Sequence, residues 1–280
     1  MYSFLDEIDF TNVGVASVAP AINEKSNVAE IDSGYYNDRT AWSNSMAKEL
    51  AKDEVAFHKW YTTNEERPCD DKFAVGQYLH TVLENALSGG NEIPMDFIIL
   101  PKLDMRTKAG KEKYAELTKG KDLDKVYVVS ESDARRVEAL VGRFLRSDTP
   151  EELGLVGGSF ELEKAFTSEY RGVRIKGRID CVTDDCVIDW KTTSSYSDWA
   201  NKARFYDYDQ QAAWYLKLTC KSKFKFVVFD TVNFNRWFVA EASPQFLKRG
   251  ADKMDDSICL IKEYLTKGIN SGSFRNKILL

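Results

Sequence analysis

The stretch Arg174–Thr193, RIKGRIDCVTDDCVIDWKTT, contains two runs rich in β-branched and alternating residues on either side of Asp184 and Asp185. Read as a two-residue hairpin loop, it pairs residues whose numbers share one sum, which sets Asp180 opposite Asp189 and Arg178 opposite Lys191. Because side chains alternate across a strand, Lys176, Arg178, Asp180, Asp189 and Lys191 are expected on one face. Ile175, Ile179, Cys181, Ile188 and Trp190 are expected on the other. Opposed carboxylates stand about 4.5 to 5.5 Å apart at Cβ and repel unless a positive charge lies between them. A divalent cation answers that need; so do Lys191 and Arg178, in a solvated face of alternating salt bridges. The apolar residues interleaved in VIDWKTT favour a cleft-lining face. Two carboxylates with a lysine two residues on suit metal-assisted phosphodiester hydrolysis: the acids hold the ion, and the lysine orients water or neutralises developing charge.

Outward from this hairpin, the pattern before it is helical and the pattern after it mixed. A helix is expected after Asn44 or Ser45, from the stripe Met46, Leu50, Phe57 and Trp60. Further helices are expected over 72–87 and from a cap at Ser132 to Leu145. Residues 101–125 form an expected basic loop, with eight Lys or Arg against five acids. Strands are expected near 158–166, 172–182, 186–193, 224–230 and 232–240. One helix should span 199–218, and a last one should run from Ser243 to Gly268. Helices around a central group of strands make an α/β or α+β layered domain.

The 280 residues carry a formal charge of −5, which excludes nucleic-acid binding by bulk positive charge and leaves local basic patches open. The charge is uneven: residues 1–38 hold seven acids against the single Lys25, so the other 242 are about +1. We therefore divide the chain into an acidic arm, 1–40, and one domain, 41–280. Five scattered cysteines without a Cys-x-x-Cys pair signal neither disulfide framework, zinc site nor iron–sulfur cluster. An acidic start without an apolar run points to a soluble, cytoplasmic protein that does not engage a membrane.

Five strings in order resemble the PD-(D/E)XK nuclease superfamily, and within it the phage and prophage exonucleases of RecE (exonuclease VIII) type, with lambda exonuclease more distant. They are VGQYLHTVLENA over 75–86, MRTKAGKEKY over 105–114, SFELEKAF over 159–166, the hairpin over 177–193, and YDYDQQAAWY over 206–215. The resemblance implies a restriction-endonuclease-like core, a central mixed sheet flanked by helices. It places metal ligands at His80, Asp180, Asp189 and the carbonyl of Trp190, and a catalytic lysine at Lys191. It also places a family glutamate at Glu161, with Glu163 as the alternative on the same face. DNA contacts fall to Arg106, Lys111, Arg178, Gln211 and Tyr215.

For some of these a plainer reading stands beside the functional one. His80 has Glu84 one turn on and Gly76 one turn back, which leaves polarity and room for an ion or a phosphate. Gln211 and Tyr215 share a helical face and could equally bond at the edge of the core, and Arg106 could be a solvated loop residue. The implied activity is Mg²⁺-dependent, or Mn²⁺-dependent, exodeoxyribonuclease digestion of linear duplex DNA. The resemblance adds 5′ to 3′ polarity, a ring-shaped homo-oligomer and a single-strand annealing partner in phage-type recombination inside a bacterial host. The rival readings are another nuclease of the superfamily, structure-specific or Cas4-like without its cluster, and a non-catalytic DNA-end-binding module. Residues 224–280 match no functional motif.

Overall fold

A computed structural model describes residues 35–36, 38–63, 73–90 and 97–268; nearly all of the acidic arm, and Cys69, lie outside the described residues. Along the chain run β1 (Trp42–Ser43), α1 (Asn44–Lys52), α2 (Glu54–Thr63), α3 (Ala74–Leu87), β2 (Phe97–Leu100), α4 (Lys108–Leu117), β3 (Tyr127–Ser130), α5 (Glu131–Leu145) and α6 (Thr149–Glu152). Then follow β4 (Phe160–Tyr170), β5 (Val173–Thr183), β6 (Cys186–Thr193), α7 (Trp199–Phe205), α8 (Tyr208–Thr219), β7 (Lys223–Asp230), β8 (Trp237–Glu241) and α9 (Pro244–Lys267).

Six strands form one mixed sheet. β4, β5 and β6 are antiparallel neighbours, β6 and β7 pair in parallel through the α7–α8 crossover, and β8 closes the far edge antiparallel to β7. β4 takes one edge of β5 along its whole length. The other edge is shared: β1 pairs with Ile175 and Lys176 at one end, and β6 with Cys181 and Val182 at the other. Between them, residues 177–180 have no strand partner on that side, and the sheet forks.

Both faces of the sheet are covered. Trp42, Leu50, Ile175, Ile179, Trp214, Phe226 and Ile258 belong to one buried cluster, while Leu83, Val137, Phe144, Cys181, Ile188, Trp190 and Phe229 belong to a second. This corrects the division of the hairpin into one core face and one ionic face. Successive residues of β6 and β7 alternate between two cores, as in a doubly covered sheet. No helix among the described residues is long and apolar enough to cross a membrane.

Several element boundaries differ from the pattern reading, each for a local reason. The first expected helix is two, because Asp53 ends α1 with its N–H on Glu49 O and starts α2 by accepting from Ala56 N. α5 is capped by Ser130, which accepts from Asp133 N, and not by Ser132. The expected basic loop holds α4, capped by Thr107 and without a buried residue. Its Lys, Ala and Glu content favours helix while offering no apolar stripe to read. The helix expected over 199–218 breaks at Asp207, whose φ of 53° is left-handed. Strand β8 starts at Trp237 because the preceding turn is wound around Asp230, whose carboxylate accepts from Val232 N, Asn233 N, the Asn233 amide and Arg236. The helix from Ser243 to Gly268 is present as expected, with Ser243 accepting from Phe246 N.

Candidate active site

The fork in the sheet is where the ionisable residues of the hairpin meet. The turn sets the expected register, Cys181 opposite Ile188 and Val182 opposite Val187, but the ladder stops one step short of Asp180 and Asp189. Asp180 fills the opening: its Oδ2 accepts from Trp190 N at 2.8 Å, giving that N–H a partner. The β4–β5 ladder also lapses here, between the pairs Leu162–Cys181 and Lys164–Ile179, where Glu163 takes a left-handed φ of 51°. A non-glycine residue in that region costs on the order of 1–3 kcal/mol, and such strain collects at functional sites.

From α3, His80 brings Nδ1 to 3.8 Å from Asp180 Oδ2, and the Trp190 backbone hydrogen bonds with its ring. One turn on, Glu84 hydrogen bonds with Glu163, and Glu163 pairs with Arg178 Nε at 2.5 Å. Glu84 Oε1 is buried without a hydrogen bond. From α8, Gln211 Nε2 donates to Asp189 Oδ1 at 3.0 Å and lies 3.3 Å from the Tyr215 hydroxyl. Lys191 pairs with Asp189 and stands 4.9 Å over the ring of Tyr208. Asp189 itself is 1% exposed, and its Oδ2 lies against the Lys191 ammonium.

The protonation behaviour follows from this crowding. Burial pushes Asp180 and Asp189 up to about 6, against the pull of Lys191. Burial, then the neighbouring Glu163, holds Glu84 far above the ordinary carboxyl range. Burial and then Lys191 press His80 down to about 4, so its ring is neutral near pH 7 and free to donate a lone pair. Burial works against the Lys191 ammonium, but Asp189 and Asp180 outweigh it and raise the group. The site is a cluster of one buried and three half-buried carboxyls, with Lys191 as the cation beside Asp189.

The fork thus brings together His80, Asp180, Asp189, Trp190, Lys191, Gln211 and Tyr215. Arg178 does not face Lys191; it is turned to Glu163 and to the hydroxyl of Tyr36, 3.0 Å away. Lys176 leaves the expected ionic face altogether and donates to Tyr35 O and Asp38 O. Glu161 is half exposed and paired with Lys164, and the glutamate that reaches the cluster is Glu163. Arg106 is 90% exposed on the lead-in to α4, paired with Asp104, and Lys111 is exposed on α4. Reading the sequence alone underweights Glu84, whose signal is its i+4 spacing from His80 on a helix otherwise apolar on that flank, and it does not single out Tyr208.

The donor chemistry fits a hard divalent cation: the carboxylate oxygens of Asp180 and Asp189 stand beside a neutral imidazole. The cage is not closed, since among the described residues no three His, Cys, Asp or Glu side chains stand together as a metal group. Lys191 is paired with Asp189.

Residues 43–271 match the family model of a PDDEXK-like domain of unknown function, DUF3799. Among solved structures the chain is similar to a presumed exonuclease from Eubacterium rectale, at TM-score 0.61 and 15% identity, over 86% of this chain and 88% of that one. Looser overlaps join it to an alkaline exonuclease from Laribacter hongkongensis, TM-score 0.30, 14% identity, over 69% and 88% of the two chains. A protein called SSO0001 overlaps at TM-score 0.28, 20% identity, over 66% and 85%. No curated protein matches the sequence.

Proposed function

We propose that this chain, which belongs to the family of PDDEXK-like domains whose model spans residues 43–271, is a metal-dependent exodeoxyribonuclease acting on linear duplex DNA. The observation that carries the proposal is Asp189: fully buried in the fork, held by one amide and by the ammonium of Lys191, with Asp180 across the opening. A buried carboxylate is costly unless paired or coordinated, and an enzyme that must accept a cation keeps such a group available.

Asp180, Asp189, His80 and the Trp190 carbonyl would hold the ion, which when bound polarises the scissile phosphate and makes a water more acidic. Gln211 fixes the carboxylate of Asp189 and is itself steadied by Tyr215. Lys191, protonated and beside Asp189, would orient the attacking water and offset the charge that builds on the leaving oxygen. Hydrolysis then needs no covalent intermediate. Mg²⁺ is the metal proposed, with Mn²⁺ as substitute. The finer reading adds 5′ to 3′ polarity, a ring-shaped homo-oligomer, a single-strand annealing partner in phage-type recombination, and work in the bacterial cytoplasm by one nuclease domain over 41–280.

The test is digestion of end-labelled linear duplex and of the same DNA as a closed circle, with Mg²⁺, with chelator, and with Asp180→Asn. Linear DNA should shorten from its ends only in the first condition, and a 5′ label should appear as mononucleotide. Equal loss of closed circles would remove the end-dependence, and cleavage surviving both chelator and Asp180→Asn would remove the metal site.

A further inference from the structure

The corner between α7 and α8 carries Phe205, 79% exposed, and Tyr206, 47% exposed, with ring centroids 5.1 Å apart at 81°. Single exposed apolar residues are ordinary, whereas an adjacent aromatic pair beside an ionic site calls for an occupant. The pair connects with the fork. The Tyr206 ring is 5.9 Å from that of Tyr208, over which Lys191 Nζ stands at 4.9 Å. The Tyr206 ring is therefore within about 11 Å of Lys191, roughly three stacked nucleotide steps of a DNA strand.

The corner is also held in place from below. Asp207 adopts a left-handed φ of 53° and pairs with Lys253 of α9 at 2.5 Å. The next acid, Asp209, is fully buried and bound to Arg249 and Lys253. Lys48 of α1 donates to Tyr206 O, and Tyr206 N donates to Lys202 O. A turn fixed by Asp207, Asp209, Arg249, Lys253 and Lys48 presents its two aromatics to solvent without burying them. On the same short helix Arg204 is exposed and Lys202 half-buried, which puts cations on the flank, and the carboxylate of Asp207 is paired with Lys253.

We propose that Phe205 and Tyr206 form a stacking platform for unpaired terminal bases of the DNA strand whose phosphate lies at Lys191. The inference deepens the nuclease reading and rests on it. Nucleobases are the occupant that the juxtaposition fits, because a π-face accepts any base while the neighbouring cations and Lys191 take the phosphates on either side. The platform would set which strand end is admitted: an end with frayed or overhanging bases engages it, and a blunt, fully stacked end must first open.

The experiment is a cycle between protein and DNA. Wild type, Phe205→Ala, Tyr206→Leu, the double variant and Phe205→Trp are titrated, in chelator, with an oligonucleotide carrying 2-aminopurine two to four nucleotides from its end, and with the same strand abasic there. Wild type should quench the 2-aminopurine and bind about tenfold tighter than the double variant. That advantage should vanish on the abasic strand, and Phe205→Trp should restore quenching. With Mg²⁺, the double variant should raise KM for overhanging ends about tenfold and leave kcat within twofold. Equal weakening on normal and abasic strands, or a change of molecular mass in the double variant, would overturn the platform and make the corner a general charge contact or a protein interface. A wild-type protein that neither binds nor cleaves DNA would remove the nuclease reading itself, whereas cleavage with a flat cycle would remove the platform alone.

Discussion

Helix α8 serves two buried carboxylates of opposite character. Asp209, its own residue, is fully buried and accepts from Gln210 N, Arg249 and Lys253, and those bonds, outweighing burial, hold it below the ordinary carboxyl range. Asp189, reached by Gln211 of the same helix, is equally buried, yet has one hydrogen bond and one ion pair and is pushed up to about 6. Asp230 repeats the first pattern, with four donors holding it down to about 2 against burial. Burial is common to all three, so burial does not mark function. What differs is the number of donors: Asp209 and Asp230 have three and four from within the chain, whereas Asp189 has one amide and the ammonium of Lys191.

The sharpest way to break this comparison is Asp189→Asn. If Asp189 is kept for an ion, the exchange should lower Mg²⁺-dependent cleavage by about 10³-fold or more, some 4 kcal/mol in the barrier. Unfolding stability should fall by less than it does in Asp209→Asn, because removing a costly buried charge offsets part of the loss and Lys191 keeps the attraction of Asp180. Added Mg²⁺ should raise the Tm of wild type and not of the variant. A large loss of stability with unaltered cleavage would make Asp189 a second Asp209.

On the structural side the expected effects are in folding. Asp209→Asn should cost about 3 kcal/mol, the lower end for a broken buried pair, since Arg249 and Lys253 are partly exposed and regain water. Gly250 of α9 supports the same contact: a Cβ there would fall 1.9 Å from Asp209 O, so α8 and α9 must separate to admit it. Gly250→Ala should therefore destabilise by about 1–3 kcal/mol. Denaturant titration measures both. A neutral Gly250→Ala would mean that the close approach of the two helices is dispensable.

The same contrast explains what was legible in the sequence. The register of the hairpin is set by two turn residues and alternation, both local, so the pairing of Cys181 with Ile188 could be counted off. The fork could not, because it depends on β1 taking the edge of β5 at Ile175, a contact more than 130 residues away in the chain. Without the fork, the pattern sets Arg178 opposite Lys191, keeps Lys176 on the same face, and favours Glu161 over Glu163. The left-handed turn at Glu163 that decides between those two has no signature in a run such as FELEKAF. Helices with a buried stripe are legible for the same reason that α4, which has no fully buried residue, is not. The separation of Asp189 from Asp209 or Asp230 was out of reach as well, since it lies in the count of donors that three distant elements deliver.

The pH dependence of stability sharpens the comparison, because the two kinds of carboxylate act with opposite sign. Asp230 sits at about 2 when folded, below its unfolded value. Its contribution, about 2 kcal/mol, is full above pH 4 and is lost as pH falls toward 2. Asp189 and Asp180 sit at about 6, above their unfolded values, so the native state binds more protons between pH 4 and 6 and stability falls as pH rises through that interval. Urea unfolding from pH 2 to 8 should show the acid limb flattened in Asp230→Asn and the fall between pH 4 and 6 reduced in Asp189→Asn. Identical profiles for the two variants would erase the distinction.

The smallest expected effect lies at the periphery, where neither burial nor the number of donors operates. Arg106 is 90% exposed and bound to Asp104 by two of its guanidinium nitrogens, at 2.9 and 3.1 Å, in a loop whose fold is secured independently by Thr107 and the close turn at Gly110. Arg106→Ala should leave Tm within about a degree, since exposed pairs of this kind add little to stability. If the arginine leaves Asp104 for a DNA phosphate, its removal should weaken binding to the same extent on every sequence. It should also lower the slope of log K against log salt by about one contact, because one fewer counterion is released. Binding titrations between about 50 and 200 mM salt resolve that change. An unaltered slope with intact cleavage would confine the DNA to the fork and its aromatic corner, and would leave the cations around α4 as a solvated face, which is also the simplest account of a helix with nothing buried.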